Sequence, residues 1–380
     1  MKVLLVNPPE VSQGGKSNPV LGLLYLASYI RDIAEVKYYD GYLGDWAGYE
    51  TILKEFKPDF VCVQMLTPGR HKALRILEIA KTYGIRTIAG GPHVSIMAQQ
   101  IEQNYPHVDH MVIGEGEASL KKVLTGNCDK FIQSQELDIN TIPFPAWDIA
   151  HLDSNRYIGN EDIRVPVITS RGCTGNCTFC STHKVWRKYR VRSAENIVNE
   201  IDYIIEKFDK RHFVFEDDSL SCNLDITKET MRLLAGRDIR FFATMRADGM
   251  DIELADLLKK AGCYEVSIGF ESGSQQVLDA YNKHIKVEQN ISAALAIKEA
   301  DLVLCALMIY NGILDNEQTR EETRRFLEII RPDKTGSLQQ LWILPGTKIY
   351  NDMKSKGLID DSFWLGPAPY YIYKGELENG

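Results

Sequence analysis

Three cysteines are crowded into one short stretch of the chain, RGCTGNCTFC at residues 171–180. Cys173, Cys177 and Cys180 follow the spacing Cys-x3-Cys-x2-Cys, and no second group of cysteines lies nearby. A structural zinc site takes four ligands, usually as two separated pairs, and a four-iron cubane normally takes four thiolates. Three thiolates would leave one iron of a cubane without a protein ligand. Because a catalytic metal needs such an open position, the spacing predicts a catalytic iron–sulfur cluster.

The residues between these cysteines suit a bulky cluster. Gly172 and Gly175 give the backbone the freedom to wrap around it, and Phe179 would shield it from water. The alternative is three incidental thiols. The spacing, together with the position after a predicted strand, favours the cluster.

The size and charge of the chain limit the classes of protein to which it can belong. With 380 residues it is long enough for two domains, and its formal net charge of −8 argues against non-specific binding to nucleic acid. No apolar run is long enough to cross a bilayer. The N-terminal VLLV ends at Asn7, Pro8 and Pro9, which favours a buried strand over a signal peptide. We therefore expect a cytoplasmic protein with reduced thiols and no membrane contact.

The first half of the chain alternates short apolar runs with amphipathic stretches, the pattern of a parallel sheet covered by helices on both faces. The predicted strands are KVLLVNP, EVKYYDG, FVCVQML, RTIAGG and HMVIGEGE. This pattern predicts a doubly wound, Rossmann-like α/β domain over residues 1–139. Domains of this class bind ligands at the carboxyl ends of their strands.

Glycine, proline and polar residues follow three of these strands, where a ligand would bind. The loops are Asn7-Pro8-Pro9, Gly90-Gly91-Pro92-His93 and Gly114-Glu115-Gly116-Glu117. Glycine lets a backbone approach a ligand closely. A single Gly-Gly pair would be explained as a turn, but three such loops at one edge of a sheet favour a binding site.

The second half of the chain begins after a linker. Residues 140–165 carry prolines without a regular period and are interpreted as that linker. From residue 166 to 346 strands and helices alternate in six units, which predicts a partial (β/α)6 barrel of the TIM type with function at the strand carboxyl ends. The cysteine loop follows the first of these strands, VPVITSR. Residues 347–380 form a short extension, and its aromatic run FWLGPAPYYIY is interpreted as packing against a barrel edge or as a lid over the barrel.

These motifs together resemble a known family. ITSRGCTGNCTFCS, FEDDSL, GFESGSQQVL and LPGTKIY are similar to segments of the radical S-adenosylmethionine (SAM) enzymes. IPFPAWD, GGPHVS and GEGE are similar to the subfamily with an N-terminal cobalamin-binding domain, and the resemblance covers roughly residues 1–350. It implies that the three cysteines ligate a [4Fe–4S] cluster whose open iron binds SAM. One electron from the cluster would then yield a 5′-deoxyadenosyl radical.

The resemblance also implies which side chains bind SAM. Three acids that end the second barrel strand would accept hydrogen bonds from its ammonium group, with a helix N-cap as the alternative for one of them. The three are Glu216, Asp217 and Asp218. Arg246 would pair with the methionyl carboxylate or lie near the sulfonium, and a surface ion pair is its alternative. Glu271 and Ser272 would lie at the ribose.

For cobalamin, the resemblance places the corrin over the loops of the first domain. Many corrin proteins supply a histidine to cobalt from an Asp-x-His-x-x-Gly motif, and His71 has neither the Asp nor the Gly at the required offsets. We therefore expect base-off cobalamin with no histidine lower ligand. The residues expected below the cobalt are Met65, Leu66 and Thr67. Those expected along the nucleotide tail and the corrin edge are Gly90, Gly91, Glu115 and Gly116, next to Asn7 and Pro8, with His93 either bound to a corrin amide or facing water.

The resemblance implies a methyltransferase that acts on an unactivated carbon of a small molecule, through a 5′-deoxyadenosyl radical and methylcobalamin. Two alternatives remain open: a radical reaction without methylation, such as a cyclisation or rearrangement, and a radical SAM enzyme whose first domain has lost corrin binding. A cluster-bearing scaffold is disfavoured because it leaves the acidic strand ends without a role. The expected partners are a small-molecule substrate and an external electron donor of the flavodoxin or ferredoxin type.

Overall fold

The computed structural model of the chain describes residues 1–9, 18–126, 129–153, 163–336 and 339–377. The chain forms two compact units. The first unit contains Met1–Val165, Lys184–Trp186 and Trp364–Pro369, and the second contains Pro166–His183, Arg187–Phe363 and Tyr370–Gly380. Among the described residues, no helix has both the length and the apolar character that a membrane span requires.

Six strands form the sheet of the first unit. They are β1 (Lys2–Asn7), β2 (Glu35–Asp40), β3 (Phe60–Gln64), β4 (Arg86–Gly90), β5 (His110–Ile113) and β6 (Phe131–Gln133). All neighbouring pairs are parallel, and the order across the sheet is β2-β1-β3-β4-β5-β6. The central strands are continuous apolar runs because both faces of the sheet are covered. The four residues from Val3 to Val6, for example, are all fully buried.

The helices of the first unit lie between these strands in the chain. They are α1 (Leu21–Ile30), α2 (Trp46–Phe56), α3 (Arg70–Thr82), α4 (Pro92–Asn104) and α5 (Glu117–Leu124). Because β1 lies between β2 and β3, the chain changes direction across the sheet at β1. The carboxyl ends of β1 and β3 therefore border the crevice in which doubly wound domains bind ligands. The prediction of a doubly wound first domain is confirmed, and β6 is a strand that the sequence pattern did not reveal.

The segment predicted as a linker, residues 140–165, belongs to the first unit over its described part, and residues 140–153 pack against α1. Trp147 is 1% exposed, and the backbone N–H of Ala146 donates to the carbonyl of Leu24. The guanidinium of Arg31 on α1 binds both carboxylate oxygens of Asp148. The segment has no helical or strand period, but its apolar side chains still need burial and find it on α1. Residues 154–162 of the predicted linker lie outside the described part of the chain.

The second unit contains the remaining strands and most of the remaining helices. The strands are β7 (Val165–Val167), β8 (Ser170–Arg171), β9 (Arg190–Val191), β10 (His212–Phe215), β11 (Arg240–Met245), β12 (Cys263–Glu271), β13 (Val303–Tyr310), β14 (Lys334–Thr335), β15 (Gln339–Gln340), β16 (Trp342–Ile343) and β17 (Tyr371–Ile372). The helices are α6 (Thr182–Val185), α7 (Ala194–Phe208), α8 (Leu224–Leu234), α9 (Ile252–Lys260), α10 (Gln275–Ala280), α11 (Val287–Glu299), α12 (Glu317–Ile330) and α13 (Lys348–Ser355).

One main sheet organises the second unit. Its order is β14-β13-β12-β11-β10-β7, and β15 pairs with the far end of β13. The pairs from β10 to β14 are parallel, and helices separate them in the chain, so the predicted partial barrel is confirmed. The last predicted strand began at residue 337, and residues 337 and 338 lie outside the described part of the chain.

The first barrel strand is shorter than the sequence predicts. A single strand was expected over 165–171, but β7 ends at Val167, and β8 turns away to pair antiparallel with β9. The backbone between them leaves the sheet at Ile168 and Thr169. The cause is the carboxylate of Asp217, just after β10, which accepts hydrogen bonds from the backbone N–H groups of Thr169 and Ser170.

The aromatic tail is divided between the two units. Residues Trp364–Pro369, here called the tail segment, belong to the first unit, whereas β17 pairs with β16 in the second. Trp364 is 1% exposed. After residue 369 the aromatic run packs within the second unit, where the Tyr370 ring stacks on that of Trp342 with centroids 3.8 Å apart. This contact agrees with the prediction of packing at the barrel, and the interpretation of the run as a lid stays a prediction. The last residues of the predicted extension, 378–380, lie outside the described part of the chain.

Candidate active site

A buried carboxylate fixes the start of the cysteine loop. Asp217, just after β10, accepts hydrogen bonds from the backbone N–H of Thr169 (3.0 Å) and of Ser170 (2.7 Å), and from both hydroxyls (2.9 and 2.7 Å). These N–H groups are thereby taken out of the strand ladder, so β7 ends and the chain turns into the loop. Burial raises the pKa of Asp217, and the hydrogen bonds from Ser170 and Thr169 oppose that shift. Asp217 thus holds the loop, which is a different role from the predicted contact with the SAM ammonium group.

The two acids that flank Asp217 in the sequence are exposed to solvent instead of buried. Glu216 and Asp218 are exposed, and Asp218 accepts a hydrogen bond from the hydroxyl of Thr182 at 2.9 Å. The same hydroxyl accepts from the thiol of Cys180 at 3.3 Å, which links Asp218 to the cysteine loop. The alternative of a helix N-cap is wrong for these acids because Asn223 caps α8.

The three predicted cluster cysteines are half-buried on one loop of the second unit. Gly172 has a φ of 88°, which favours glycine, and a Cβ on Gly175 would lie 2.5 Å from Nη1 of Arg246 and 3.5 Å from Sγ of Cys173. Phe179 packs edge-to-face on Tyr281 with ring centroids 5.2 Å apart. The loop is therefore a close-fitting cradle that excludes larger side chains.

These thiols suit a cluster better than a single metal ion. In the described part of the chain, no three His, Cys, Asp or Glu side chains converge as they would on one ion. A cubane binds each thiolate through a different iron, so its ligands do not need to converge on a single point. Burial raises the pKa of Cys177, and the positive charges of Lys283 and Arg246 oppose that shift.

Arg246 places its charge beside the cysteine loop. Its guanidinium binds both carboxylate oxygens of Asp248 (2.8 Å each) and the carbonyl of Lys283 (2.9 Å), and its Nη1 lies 3.8 Å from Sγ of Cys177. Burial lowers the pKa of Arg246, but the hydrogen bonds and charge of Asp248 outweigh it, and the net shift is upward. The alternative of a surface ion pair is wrong, because Arg246 is buried and only Asp248 is partly exposed.

The two residues predicted at the ribose differ in their surroundings. Glu271 ends β12 with a φ of 66°, and one of its oxygens pairs with Nζ of Lys283 at 2.7 Å. Ser272 is buried, its hydroxyl bonds that of Thr323 at 3.1 Å, and it accepts from the backbone N–H of Ser274. The side chain of Glu271 therefore lies at the carboxyl end of β12, where the ribose contact was predicted. The side chain of Ser272 is instead buried, and its hydrogen bonds with Thr323 and Ser274 stabilise the loop that follows β12.

The loops of the first unit lie close together at the carboxyl edge of its sheet. The side chain of Asn7 donates to Asp40 at 2.8 Å, and a Cβ on Gly41 would lie 2.2 Å from the carbonyl carbon of Pro8. Gly91 has a φ of 97°, and a Cβ there would lie 3.1 Å from the backbone of Met65. Gly90 is half-buried beside Gly91, Glu115 is buried, and a Cβ on Gly116 would lie 2.7 Å from the side chain of Leu26.

The three residues expected below the cobalt, at the end of β3, differ in how much of each is exposed to solvent. Met65 is fully buried and its backbone bonds Gly90 and His93, whereas Leu66 is 50% exposed. Thr67 is buried, and its hydroxyl lies 3.1 Å from Nδ1 of His93. The amide oxygen Oε1 of Gln64 is buried without a hydrogen-bond partner among the described residues. A polar group of a ligand at this edge would satisfy it, so this edge fits a large ligand with amide groups.

Family models match both units. The Radical SAM superfamily model matches residues 167–327, and the B12 binding domain model matches residues 13–124. The chain belongs to the cobalamin-dependent radical SAM enzymes.

Relatives of this radical SAM enzyme include proteins of more than one activity. It is 29% identical over 371 residues to an uncharacterized methyltransferase of Pyrococcus horikoshii, covering 87% of this chain and 78% of that protein. It is 30% identical over 374 residues to the anaerobic magnesium-protoporphyrin IX monomethyl ester cyclase of Rubrivivax gelatinosus, covering 88% of this chain and 66% of the cyclase. The fold is similar to that of the radical SAM methyltransferase TsrM from Kitasatospora setae, with a TM-score of 0.78, 16% identity, and coverage of 93% of this chain and 78% of that one.

A buried arginine, which the sequence did not single out, attaches the tail segment to the first unit of this radical SAM enzyme. Arg70, the first residue of α3, donates to the carbonyls of Trp364 (2.7 Å), Gly366 (2.5 Å) and Ala368 (2.8 Å), and its guanidinium lies 5.4 Å from the Trp364 ring. Nε2 of His71 also bonds the carbonyl of Gly366. Nearly 300 residues separate these partners in the chain, so no local pattern could have revealed the contact.

His93 is also covered by the tail segment. Its ring packs edge-to-face on Trp364 with centroids 6.4 Å apart, and the side chain is 1% exposed. Burial, together with the charge of Arg70, lowers the pKa of His93 to about 3. The alternative of a loop histidine that faces water is therefore wrong.

We expect Asp217→Asn to loosen the cysteine loop. The amide has one acceptor oxygen in place of two, and its NH2 group faces the donors on Thr169 and Ser170. The free energy of unfolding should fall by about 2–4 kcal/mol, measured by chemical denaturation of the cluster-free protein. Asp256→Asn, the same exchange at an exposed position of α9, should change it by less than about 0.5 kcal/mol. Equal effects of the two substitutions would contradict the role assigned to Asp217.

We expect Arg70→Met to release the tail segment, because three of its carbonyls lose the guanidinium at once, although that of Gly366 keeps its bond to His71. Limited proteolysis with chymotrypsin should show new cleavage at the aromatic and leucine residues between 363 and 365. Arg75→Met is the matched control, since Arg75 lies on the same helix, is exposed and bonds only Glu78 in the described structure. Cleavage that is unchanged in Arg70→Met, or equally fast in both variants, would show that Arg70 does not hold the segment.

We expect the imidazole of His93 to stay neutral well below the pH at which an ordinary histidine is protonated. The unfolded chain binds this proton near pH 6.5 and the folded chain only near pH 3, so stability is lost as the pH falls through this range. By pH 5 the loss due to His93 should reach about 2 kcal/mol. In NMR spectra of 13C-labelled histidine, the resonance that disappears in His93→Gln should not shift between pH 8 and pH 5. A resonance that titrates near pH 6.5 would contradict the burial of this ring.

Proposed function

We propose that this chain is a cobalamin-dependent radical SAM methyltransferase that acts on an unactivated carbon of a small molecule. The observation that carries the proposal is the combination in one chain of a three-cysteine loop at the carboxyl end of a parallel barrel and a doubly wound sheet with glycine loops at its carboxyl end. The P. horikoshii relative, named as a methyltransferase, supports it. When bound, the cluster supplies the electron that splits SAM, and cobalamin supplies the methyl group.

In this proposal Cys173, Cys177 and Cys180 hold the [4Fe–4S] cluster, and Arg246 adjusts their electrostatics. The guanidinium is held by Asp248 and lies near Cys177, so it stabilises negative charge on the loop without moving toward it. Phe179 excludes water from the same loop. Glu216 and Asp218 face solvent on the side away from Asp217, so we assign the SAM ammonium group to them.

Glu271 serves the ribose hydroxyls in this proposal. Its ion pair with Lys283 holds the carboxylate in place, and a carboxylate can accept hydrogen bonds from vicinal hydroxyls. Gly269 makes room for the pair, because a Cβ there would lie 2.6 Å from Oε1 of Glu271. Ser272 acts through Thr323 and positions this strand end.

Cobalamin is proposed to bind base-off at the carboxyl edge of the first sheet, with Leu66 as the lower-face residue. Two facts support the absence of a histidine ligand. His71 is bonded to Gly366, and His93 is bonded to Thr67 and packed against Trp364. Met65 is fully buried and Thr67 is buried. Leu66 alone of the three predicted residues is widely exposed. The other loops, from Asn7-Pro8, Gly90-Gly91 and Glu115-Gly116, would surround the corrin edge and nucleotide tail.

The main alternative is a radical reaction without methyl transfer, and the R. gelatinosus cyclase favours it as a second candidate. The proposed partners are the same for both reactions, a small-molecule substrate and an electron donor of the flavodoxin or ferredoxin type. A radical SAM enzyme without corrin is the third candidate, and the unpartnered Gln64 oxygen at the sheet edge argues against it.

We expect two products from SAM when the chain is reconstituted without oxygen with iron, sulfide and cobalamin and then reduced. Methyl transfer requires S-adenosylhomocysteine as well as 5′-deoxyadenosine, and both should be quantified by mass spectrometry. Cys177→Ala should lose 5′-deoxyadenosine and yield at most about one S-adenosylhomocysteine per bound corrin, because cobalamin can still be methylated once but no radical then consumes the methyl group. Cys305→Ala, a buried cysteine on β13, is the matched control and should keep both products.

Each departure from this pattern has a distinct meaning. Release of 5′-deoxyadenosine alone, with corrin bound, would replace the proposal by the non-methylating alternative. Release of 5′-deoxyadenosine without any retained corrin would support the third candidate. A protein that binds zinc and no iron under these conditions would rule out all three.

A further inference from the structure

A fourth cysteine lies against the predicted cluster loop, although 42 positions separate it from Cys180 in the sequence. Cys222 ends a short turn, Leu220–Cys222, between β10 and α8, and its Sγ lies 3.8 Å from Sγ of Cys173. Both thiols are half-buried and unoxidised in the structure. The spacing of the three loop cysteines gave no sign of this neighbour.

The position of Cys222 is fixed on both sides. The hydroxyl of Ser221 donates to the carbonyl of Arg246, and the backbone N–H of Arg246 lies 3.2 Å from the same hydroxyl. On the other side Asn223 caps α8 by accepting from the N–H of Ile226. The backbone that carries Cys222 is therefore anchored on both sides of the residue that contacts Cys173.

Disulfide formation between these thiols requires only a small movement. The two sulfurs must approach from 3.8 Å to about 2.05 Å. Cys173 lies between Gly172 and Gly175, and the backbone N–H of Gly175 is 3.3 Å from its sulfur, so the loop that must adjust is the glycine-bearing one. The bond cannot coexist with a cluster, because Cys173 would then have no thiolate to offer to iron.

We propose that Cys173 and Cys222 form a reversible disulfide whenever the cluster is absent, and that this bond blocks cluster assembly until it is reduced. The part that concerns assembly rests on the proposed function, since it takes Cys173 as a cluster ligand. The oxidant is a low-molecular-weight disulfide. One protein thiolate attacks it and releases one thiol, and the second protein thiol displaces the other, so that two protein thiols and one disulfide become one protein disulfide and two small thiols.

The test uses the full chain, stripped of metal by a chelator without oxygen, fully reduced, and then exposed to glutathione disulfide. After alkylation and trypsin digestion, residues 172–184 carry all three loop cysteines and residues 212–228 carry Cys222. The expected product is these two peptides joined, two hydrogens lighter than their sum, and separable by dithiothreitol. Cys222→Ser and Cys173→Ala should abolish it, and Cys177→Ala is the matched control that should retain it.

Iron uptake tests the consequence for the cluster. Oxidised wild-type chain should take up at least about tenfold less iron than oxidised Cys222→Ser, and dithiothreitol should remove the difference. A disulfide confined to residues 172–184, or a Cys222 that remains open to alkylation, would overturn the pairing. Equal iron uptake by the two oxidised proteins would overturn the block on assembly.

These outcomes separate the inference from the proposed function. If the joined peptides form but the reduced chain never takes up iron, the disulfide stands and the cluster assignment fails. If the reduced chain assembles a cluster but the joined peptides never form, the proposed function stands and the disulfide fails.

Discussion

The contact between Asp217 and the backbone of Thr169 and Ser170 determines where the barrel's chemistry can occur. It contributes geometry more than stability. A hydrogen bond to a charged group contributes about 1.5–3 kcal/mol, and burying a carboxylate costs several kcal/mol, so the two effects largely offset each other. The main effect of the contact is on the path of the backbone. Because four donors bind one carboxylate, β7 ends at Val167 and the cysteine loop starts at a fixed point.

The rest of the site is assembled around that point by neighbouring strand ends. Parallel strands bring their carboxyl ends to one edge, so Asp217 after β10, Arg246 after β11 and Glu271 at the end of β12 meet there although long helices separate them in the chain. Each cation is paired, Arg246 with Asp248 and Lys283 with Glu271. Paired cations stay in place when the charge on the cysteine loop changes, and such preorganisation is what electrostatic stabilisation requires.

The sequence was sufficient for the central strands of both sheets and for the position of the cysteine loop, because buried parallel strands must be continuous apolar runs and because cluster ligands have a fixed spacing. It did not reveal the edge strand β6 or the early end of β7. It failed for side-chain direction. Glu216, Asp217 and Asp218 were grouped as one ligand set, yet successive side chains of an extended backbone point to opposite sides, and only the middle one is buried. That alternation could have been inferred. The contacts of Arg70 and Cys222 could not, since they join segments far apart in the chain.

The tail segment also bears on whether a histidine could bind cobalt. The missing motif concerns only His71, but His93 also lies at the carboxyl edge of the same sheet. Its ring is committed elsewhere, to Thr67 and Trp364, and its low pKa reflects how completely that packing removes it from water. Arg70 holds Trp364 in position through its backbone carbonyl. In the proposed cobalamin site the lower face is therefore left to Leu66 by packing as much as by sequence.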